Sequence, residues 1–135
     1  MIPTISKREL RIEVAYNVRH IGGYQATGGL TTQSIVRSAG LQRLTRGGLA
    51  ALAESRITTI VDLRSSVERT EQGTPDPAPF GIRSIHNPIW EADASPAGLG
   101  DEFDGYAPIY RAMLESGAPA YRRLFETIAE SADGV

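Results

Sequence analysis

The stretch "TTIVDLRSSVER", residues 58–69, decides how this chain folds. It opens as a β-branched run of strand length, and that run ends at Asp62. Ser65 and Glu68 then match the capping-box pattern with which a helix begins. Asp62 and Arg64 therefore lie at the junction of a core strand and a helix. Charged side chains cost stability in such a position unless they have a partner, so we expect this junction to hold a functional group or a capping ion pair.

The composition indicates one globular domain. A chain of 135 residues is long enough to bury a real core, and its hydrophobic fraction of 41% is ordinary for such a domain. Its formal net charge of −2 gives no broad basic surface, so we expect no nucleic-acid partner. Every basic residue except Lys7 is an arginine. This bias reflects either a GC-rich genome or a need for bidentate oxyanion partners.

Several classes of site are excluded by what the sequence lacks. There is no cysteine, which removes disulfides, thiolate metal sites and a thiolate nucleophile. The two histidines, His20 and His86, are too few and too scattered for a metal cluster, and we expect both to be structural. We therefore expect no metal and no other cofactor. No segment has the length of a membrane span or the pattern of a secretory leader, so the expected location is the cytoplasm.

The first third of the chain predicts strands and a hairpin. The alternation in "ELRIEVAYNVR", residues 9–19, is typical of a strand. The glycines that follow predict a hairpin with Gly28 and Gly29 at its turn and "TTQSIVR", residues 31–37, as its returning strand. Next comes a short helix, for which Thr45 is the expected N-cap.

The remainder completes a mixed α/β pattern. We expect a strand in "IRSIHNPI", residues 82–89, and a mobile acidic loop over residues 91–105. Two helices follow, one amphipathic from Tyr106 to Leu114 and the other with Pro119 in its first turn. Val135 could begin a further strand. The order β-hairpin, α, β, loop, β, α, α is that of an α/β domain.

Four blocks of this sequence occur in the order found in a known family. They are "YNVRHIGGY" at 16–24, "IVRSAGLQRLT" at 35–45, "LAALAESRITTIVDLRSSVER" at 49–69 and "PDP" at 75–77. Together they closely resemble the bacterial tyrosine/dual-specificity protein phosphatases. His20 departs from the pattern, since the family usually has an aspartate there. The likeness beyond residue 77 is in pattern more than in identity.

The resemblance implies a fold and an activity. The fold is a protein-tyrosine-phosphatase-like mixed sheet with flanking helices. The activity is cysteine-dependent hydrolysis of phosphate monoesters, without a metal, on a phosphorylated protein or a phospholipid-type substrate. The signature that carries the nucleophile, His-Cys-x-x-Gly-Lys-Asp-Arg-Thr-Gly, would be expected a few residues beyond Val135. Residues 1–135 are thus expected to form a single, incomplete phosphatase-like domain that lacks this strand and loop.

The resemblance also suggests roles for four side chains. Asp62 would either orient the arginine of the phosphate loop or serve as a general acid to the leaving oxygen. Arg64 would attract the phosphoryl group or brace the loop, and Arg37 and Arg19 would face the phosphate pocket. The alternative is purely structural. Asp62 and Arg64 would then cap the following helix, and the other two arginines would form ordinary surface salt bridges.

Two classes of function remain open from the sequence. In the first, the chain belongs to the phosphatases but is inactive alone, because a covalent mechanism without its nucleophile loses several orders of magnitude in rate. In the second, it is a non-catalytic phosphate-binding or protein-interaction module. Such a module would complete its sheet as a homodimer, by strand exchange or with a strand from a partner.

Overall fold

The computed structural model describes residues 8–31, 33–91 and 107–131. These residues form a mixed α/β fold, as predicted, with six short strands and four helices. The strands pair two by two in three small sheets, whereas the sequence analysis expected a single mixed sheet. In chain order the elements are β1 (Arg19–His20), β2 (Gln25–Ala26), β3 (Gly29–Leu30), β4 (Val36–Arg37), α1 (Arg46–Glu54), β5 (Thr59–Asp62), α2 (Ser66–Gln72), β6 (Arg83–His86), α3 (Ala107–Ser116) and α4 (Ala118–Glu130).

The predicted hairpin is confirmed in part: its turn is displaced by one residue, and of the described residues in the predicted returning strand 31–37 only Val36–Arg37 form a strand. Ala26 of β2 pairs with Gly29 of β3, so the turn residues are Thr27 and Gly28 instead of the two glycines. Gly28 has a φ of +95°, a backbone conformation that residues with a side chain rarely adopt. Further from the turn, β1 pairs antiparallel with β4. We refer to the paired strands β1–β4 as the ribbon.

The strand predicted over residues 9–19 is wrong except at its last residue, Arg19, which begins β1. The rest of the segment forms only an isolated antiparallel bridge, between Glu9 and Arg19. The chain turns at Val14, which has a φ of +58°, and Asn17 also lies in the left-handed region with a φ of +57°. A left-handed residue interrupts an extended strand, and a β-branched valine rarely adopts that conformation. The alternating pattern therefore reflects burial, since Ile12 belongs to the core.

Helix α1 begins where the sequence predicted. Thr45 is its N-cap, and the threonine side chain accepts a hydrogen bond from the backbone N–H of Gly48 at 3.1 Å. The inner face of the helix buries Leu49 and Leu52. These two leucines form one core cluster with other apolar side chains of the ribbon region and the strands: Ile12, Val18, Leu44, Ile57 and Ile82.

Strands β5 and β6 run parallel, and this pair positions the candidate site. Their register aligns Thr59 with Arg83 and Asp62 with His86, so that both strands end at the same edge. The predicted capping box begins α2 directly after β5. In it, the Ser65 hydroxyl accepts from the N–H of Glu68, and the Glu68 carboxylate accepts from the N–H of Ser65.

The two C-terminal helices are also confirmed, with Pro119 in the first turn of α4. Of the predicted loop 91–105, the structure describes only Glu91. The strand that could begin at Val135 also lies outside the described residues. None of the helices in the described ranges is long and apolar enough to cross a membrane.

Asn87 joins α4 to the parallel strands. Its side chain, which is 4% exposed, donates to the carbonyl oxygen of Ala120 at 2.9 Å and accepts from Nε of Arg123 at 3.0 Å. These bonds connect residues more than thirty positions apart. They therefore fix the position of α4 against the end of β6.

We predict that Asn87→Ala lowers the free energy of unfolding by about 1–3 kcal/mol, because it removes two hydrogen bonds at a buried position and takes the acceptor from Nε of Arg123. Urea denaturation monitored by circular dichroism measures this change. Ser116→Ala is the matched control, since the Ser116 hydroxyl also donates to a backbone carbonyl but lies at an exposed helix end. Equal effects of the two substitutions would contradict the role given to Asn87.

Candidate active site

Asp62 and Arg64 form a bidentate ion pair at the carboxyl end of β5. Nη2 of Arg64 lies 2.7 Å from Oδ2 of Asp62, and Nε lies 3.0 Å from Oδ1. The backbone N–H of Arg64 also donates to Oδ1, at 3.1 Å. The pair is well shielded, with side-chain exposures of 14% for Arg64 and 10% for Asp62. The strand end and the capping box, two residues apart, hold both side chains in this arrangement.

Neighbouring groups hold Arg64 further in place. Its Nη2 also donates to the carbonyl oxygen of Gly73 and to the hydroxyl of Thr74, each at 3.2 Å. Nε2 of His86 lies 2.9 Å from the carbonyl oxygen of Arg64, so His86 holds the backbone of this residue. One donor remains: Nη1 of Arg64 is buried and has no hydrogen-bond partner among the described residues.

The environment of Asp62 keeps its carboxylate ionised. Burial on its own would raise the pKa of Asp62. Hydrogen bonds from the side chain and backbone of Arg64, together with the charges of Arg64 and Arg69, outweigh that effect and bring the pKa below its usual value. Nε of Arg69 lies 3.7 Å from Oδ2 of Asp62. Reciprocally, the hydrogen bond with Asp62 raises the pKa of Arg64.

The ion pair lines a cavity of about 640 Å³. Arg37, from β4, lines the same cavity, so the fold brings three of the four predicted site residues together there. Arg19 is absent from the lining. Apart from these charged groups and Glu68, most of the wall is apolar, with contributions from the ribbon, α1, β5 and α4. No group of three metal-binding side chains occurs among the residues that the structure describes.

Arg19 and Arg37 lie directly opposite each other in the ribbon. Arg37 is exposed and Arg19 is half-buried. Side chains opposite each other on antiparallel strands share a face, and two like charges in that relation are destabilising. No described salt bridge involves Arg37 or Arg19, although Glu9 lies opposite Arg19 across the isolated bridge.

The sequence analysis missed a contact between Glu91 and α2. The Glu91 carboxylate accepts hydrogen bonds from the N–H and from the hydroxyl of Ser66, both at 2.9 Å. Both bonds lower the pKa of Glu91, and the bond from the backbone N–H of Ser66 has the larger effect. Because Glu91 lies 25 positions along the chain from Ser66, no local motif could have indicated the contact.

The lowered pKa of Asp62 predicts an effect on acid stability. A depressed folded-state pKa contributes stability above the unfolded pKa of about 3.9, and this contribution is lost as the pH falls through the folded value. Asp62→Asn should therefore lower the free energy of unfolding at neutral pH and flatten its decline below about pH 4. Urea denaturation at intervals between about pH 7 and pH 2.5 measures both effects.

The control for this experiment is Glu71→Gln, which neutralises an exposed carboxylate of α2. We expect this variant to keep the steep acid decline of the unsubstituted chain. If Asp62→Asn and Glu71→Gln behave alike below about pH 4, the ion pair with Arg64 contributes no stability of its own.

Comparison with known sequences identifies the family. The sequence model of the tyrosine phosphatase family matches residues 10–135, a span that includes the ribbon, the parallel strands and every residue of the candidate site. Neither the curated proteins nor the solved structures give a significant match. The match extends well past residue 77, where the likeness by individual motifs weakens. The chain therefore belongs to the tyrosine phosphatase family, although none of its 135 residues is a cysteine.

Proposed function

We propose that this chain provides the phosphate-binding and bracing part of a cysteine-dependent phosphate monoester hydrolase, and that it has no efficient turnover alone. One observation carries the proposal. Arg37 and the Asp62–Arg64 pair line a single cavity at the carboxyl end of β5. In open α/β sheets, ligands bind outside the carboxyl ends of the strands. Membership of the tyrosine phosphatase family implies that the ligand is phosphorylated.

The absence of turnover follows from the chemistry of the family mechanism. A thiolate attacks phosphorus and forms a covalent phosphoenzyme, which water then hydrolyses. This chain has no cysteine to supply the thiolate. Loss of the nucleophile from a covalent mechanism lowers the rate by several orders of magnitude, although phosphate binding can persist. Activity therefore requires a thiolate from a further polypeptide segment.

For Asp62, we propose the bracing role over general acid catalysis. A general acid must hold a proton at the working pH, whereas the pKa of Asp62 lies below its usual value. Both carboxylate oxygens accept hydrogen bonds from Arg64. An ionised Asp62 therefore orients the Arg64 guanidinium, and it leaves Nη1 as the donor available to a phosphate loop or a phosphoryl oxygen.

The opposed arginines of the ribbon support phosphate binding. Arg37 reaches the cavity, and no described carboxylate forms a salt bridge with it or with Arg19. A phosphate dianion near the pair would turn mutual repulsion into charge-assisted hydrogen bonds. We propose Arg37 as a direct ligand and Arg19 as a supporting charge. The substrates of the complete enzyme would be phosphotyrosine and, with a more permissive pocket, phosphoserine, phosphothreonine or phosphoinositide.

A non-catalytic interaction module is the second candidate function. It is favoured by the amount of apolar wall left uncovered in the cavity, where Phe125 of α4 is 66% exposed. Such a surface could be covered in a homodimer, by strand exchange, or by a strand from another protein. Phosphate binding through Arg37 would then serve recognition instead of hydrolysis.

Phosphate binding is the first prediction of this proposal. Titration with inorganic phosphate, followed by isothermal calorimetry, should give saturable binding that Arg37→Gln weakens about tenfold, the effect of losing one charge-assisted hydrogen bond. Arg43→Gln makes the same change of charge at an exposed residue outside the cavity lining and should leave the affinity unchanged.

The absence of turnover is tested separately. The unsubstituted chain should release no p-nitrophenol from p-nitrophenyl phosphate above the buffer rate. Equal affinities for the two variants would contradict the site, and turnover would contradict the assignment as inactive.

The role of Asp62 is testable in any form of the protein that carries a cysteine nucleophile. There, Asp62→Ala should lower kcat/KM at least about tenfold, equivalent to about 1.4 kcal/mol of transition-state stabilisation. Asp62→Asn distinguishes the two roles. If Asp62 only orients Arg64, the dependence of kcat on pH keeps its shape; if it is the general acid, the basic limb of the profile disappears. An unchanged rate for Asp62→Ala would reduce the residue to a helix cap.

A further inference from the structure

One edge of β5 has no partner strand among the described residues. In a parallel pair, alternate residues of a strand direct both backbone polar groups to the same neighbour. The carbonyl oxygens of Thr58 and Asp62 accept from β6 and the residue after it, each at 2.9 Å. Thr59 and Val61 therefore direct their N–H and C=O groups to the opposite side. Among the described residues, no backbone hydrogen bond outside the β5–β6 ladder reaches either of them.

This edge opens into the cavity described above, which we call the β5 groove where it runs along Thr59 and Val61. Apolar side chains from three other elements line it: Ile21 and Ile35 on the ribbon side, Leu52 of α1, and Leu124, Phe125 and Ile128 of α4. Unpaired backbone groups beside uncovered apolar surface are the features of a site for strand addition. A lipid chain could cover the apolar wall, but it could not satisfy the N–H and C=O groups of the edge.

Charge distinguishes the two ends of the groove. Arg64 lies at the end of the lining where β5 finishes, and Arg37 of β4 belongs to the same lining. Of the two carboxylates in the same lining, Asp62 is held by Arg64, and Glu68 accepts from the N–H of Ser65 at 3.0 Å. Nη1 of Arg64 remains buried without a described partner, and no described salt bridge involves Arg37. A complementary occupant therefore carries an anionic acceptor at this end.

We propose that the β5 groove binds an extended strand of a partner polypeptide, with an apolar run along Thr59 and Val61 and an acidic group at Arg37 and Arg64. This deepens the second candidate function and rests on it. A strand buried on both faces is continuously apolar, without alternation. The length of β5, four residues or about 13 Å at ~3.3 Å per residue, sets the paired run at about four or five residues.

The test uses a fluorescein-labelled peptide, Lys-Lys-Ala-Val-Ile-Val-Ala-Asp, and measures its binding to the whole chain by fluorescence anisotropy. We expect saturable binding, weakened at least about tenfold by Val61→Pro, since proline removes the N–H that faces the groove and leaves the ladder to β6 intact. Val61→Thr keeps this N–H and should bind within about twofold of the unsubstituted chain. With both peptides amidated at the C-terminus, Arg37→Gln should weaken binding of this peptide several-fold and have no effect on a version in which asparagine replaces the aspartate.

A second measurement does not depend on the folding of a variant. N-methylation of alternate peptide amides blocks strand pairing on one edge and should abolish binding to the unsubstituted chain. The proposal is overturned if no saturable binding occurs, or if N-methylated and unmodified peptides bind equally. It is also overturned if sedimentation gives a dimer that Val61→Pro dissociates, because the occupant is then a second copy. Phosphate affinity is measured separately by calorimetry on the unsubstituted chain, so saturable phosphate binding without peptide binding means that strand docking fails while phosphate binding stands.

Discussion

The ion pair between Asp62 and Arg64 is the interaction on which the candidate site depends. Two carboxylate oxygens and three donors of one arginine, the backbone N–H among them, hold the chain at the point where β5 passes into α2. A bidentate pair of this kind fixes the direction of the guanidinium as well as its position. Because both side chains are largely shielded, breaking the pair would leave a buried charge without a partner, which is far more costly than losing a surface pair.

If the site binds an oxyanion, as we propose, the same geometry gives its two arginines different parts. Most donors of Arg64 are committed to Asp62, Gly73 and Thr74, so this arginine contributes position more than free charge. Arg37 contributes the opposite: an exposed charge with little to hold it. An oxyanion between them would meet one rigid donor and one mobile charge. Chemistry at that oxyanion requires a nucleophile that no residue type in this chain supplies by the family mechanism.

Local signals in the sequence predicted the supports of the site well. The N-cap at Thr45, the capping box at Ser65 and Glu68, and the end of β5 are each set by hydrogen bonds or propensities within a few residues. The residues that determine such a feature lie within a few positions of it in the sequence. A motif four residues long therefore sufficed to locate the junction that carries Asp62 and Arg64.

Longer-range features were less accessible from the sequence. The hairpin was predicted, but its register depends on a turn that was displaced by one residue, and register decides that Arg19 lies opposite Arg37. The strand predicted over residues 9–19 failed except at Arg19, because Val14 adopts a left-handed conformation that its residue type does not suggest. Individual chain-distant contacts, such as Glu91 with Ser66, leave no local pattern at either partner.

The β5 edge that no described strand covers lies beside the candidate site of a chain that has no cysteine nucleophile. None of the large apolar side chains in the described residues is less than 2% exposed, and the helix α4 buries only Ala120 fully although its apolar face borders the groove. The hydrophobic effect favours covering such surface, and unpaired strand edges favour extended polypeptide over any other cover. The phosphate binding and the strand docking that we propose would both use the cavity that Arg37 and Arg64 line. A thiolate carried by a docked segment would then lie in the cavity that is proposed to hold the oxyanion.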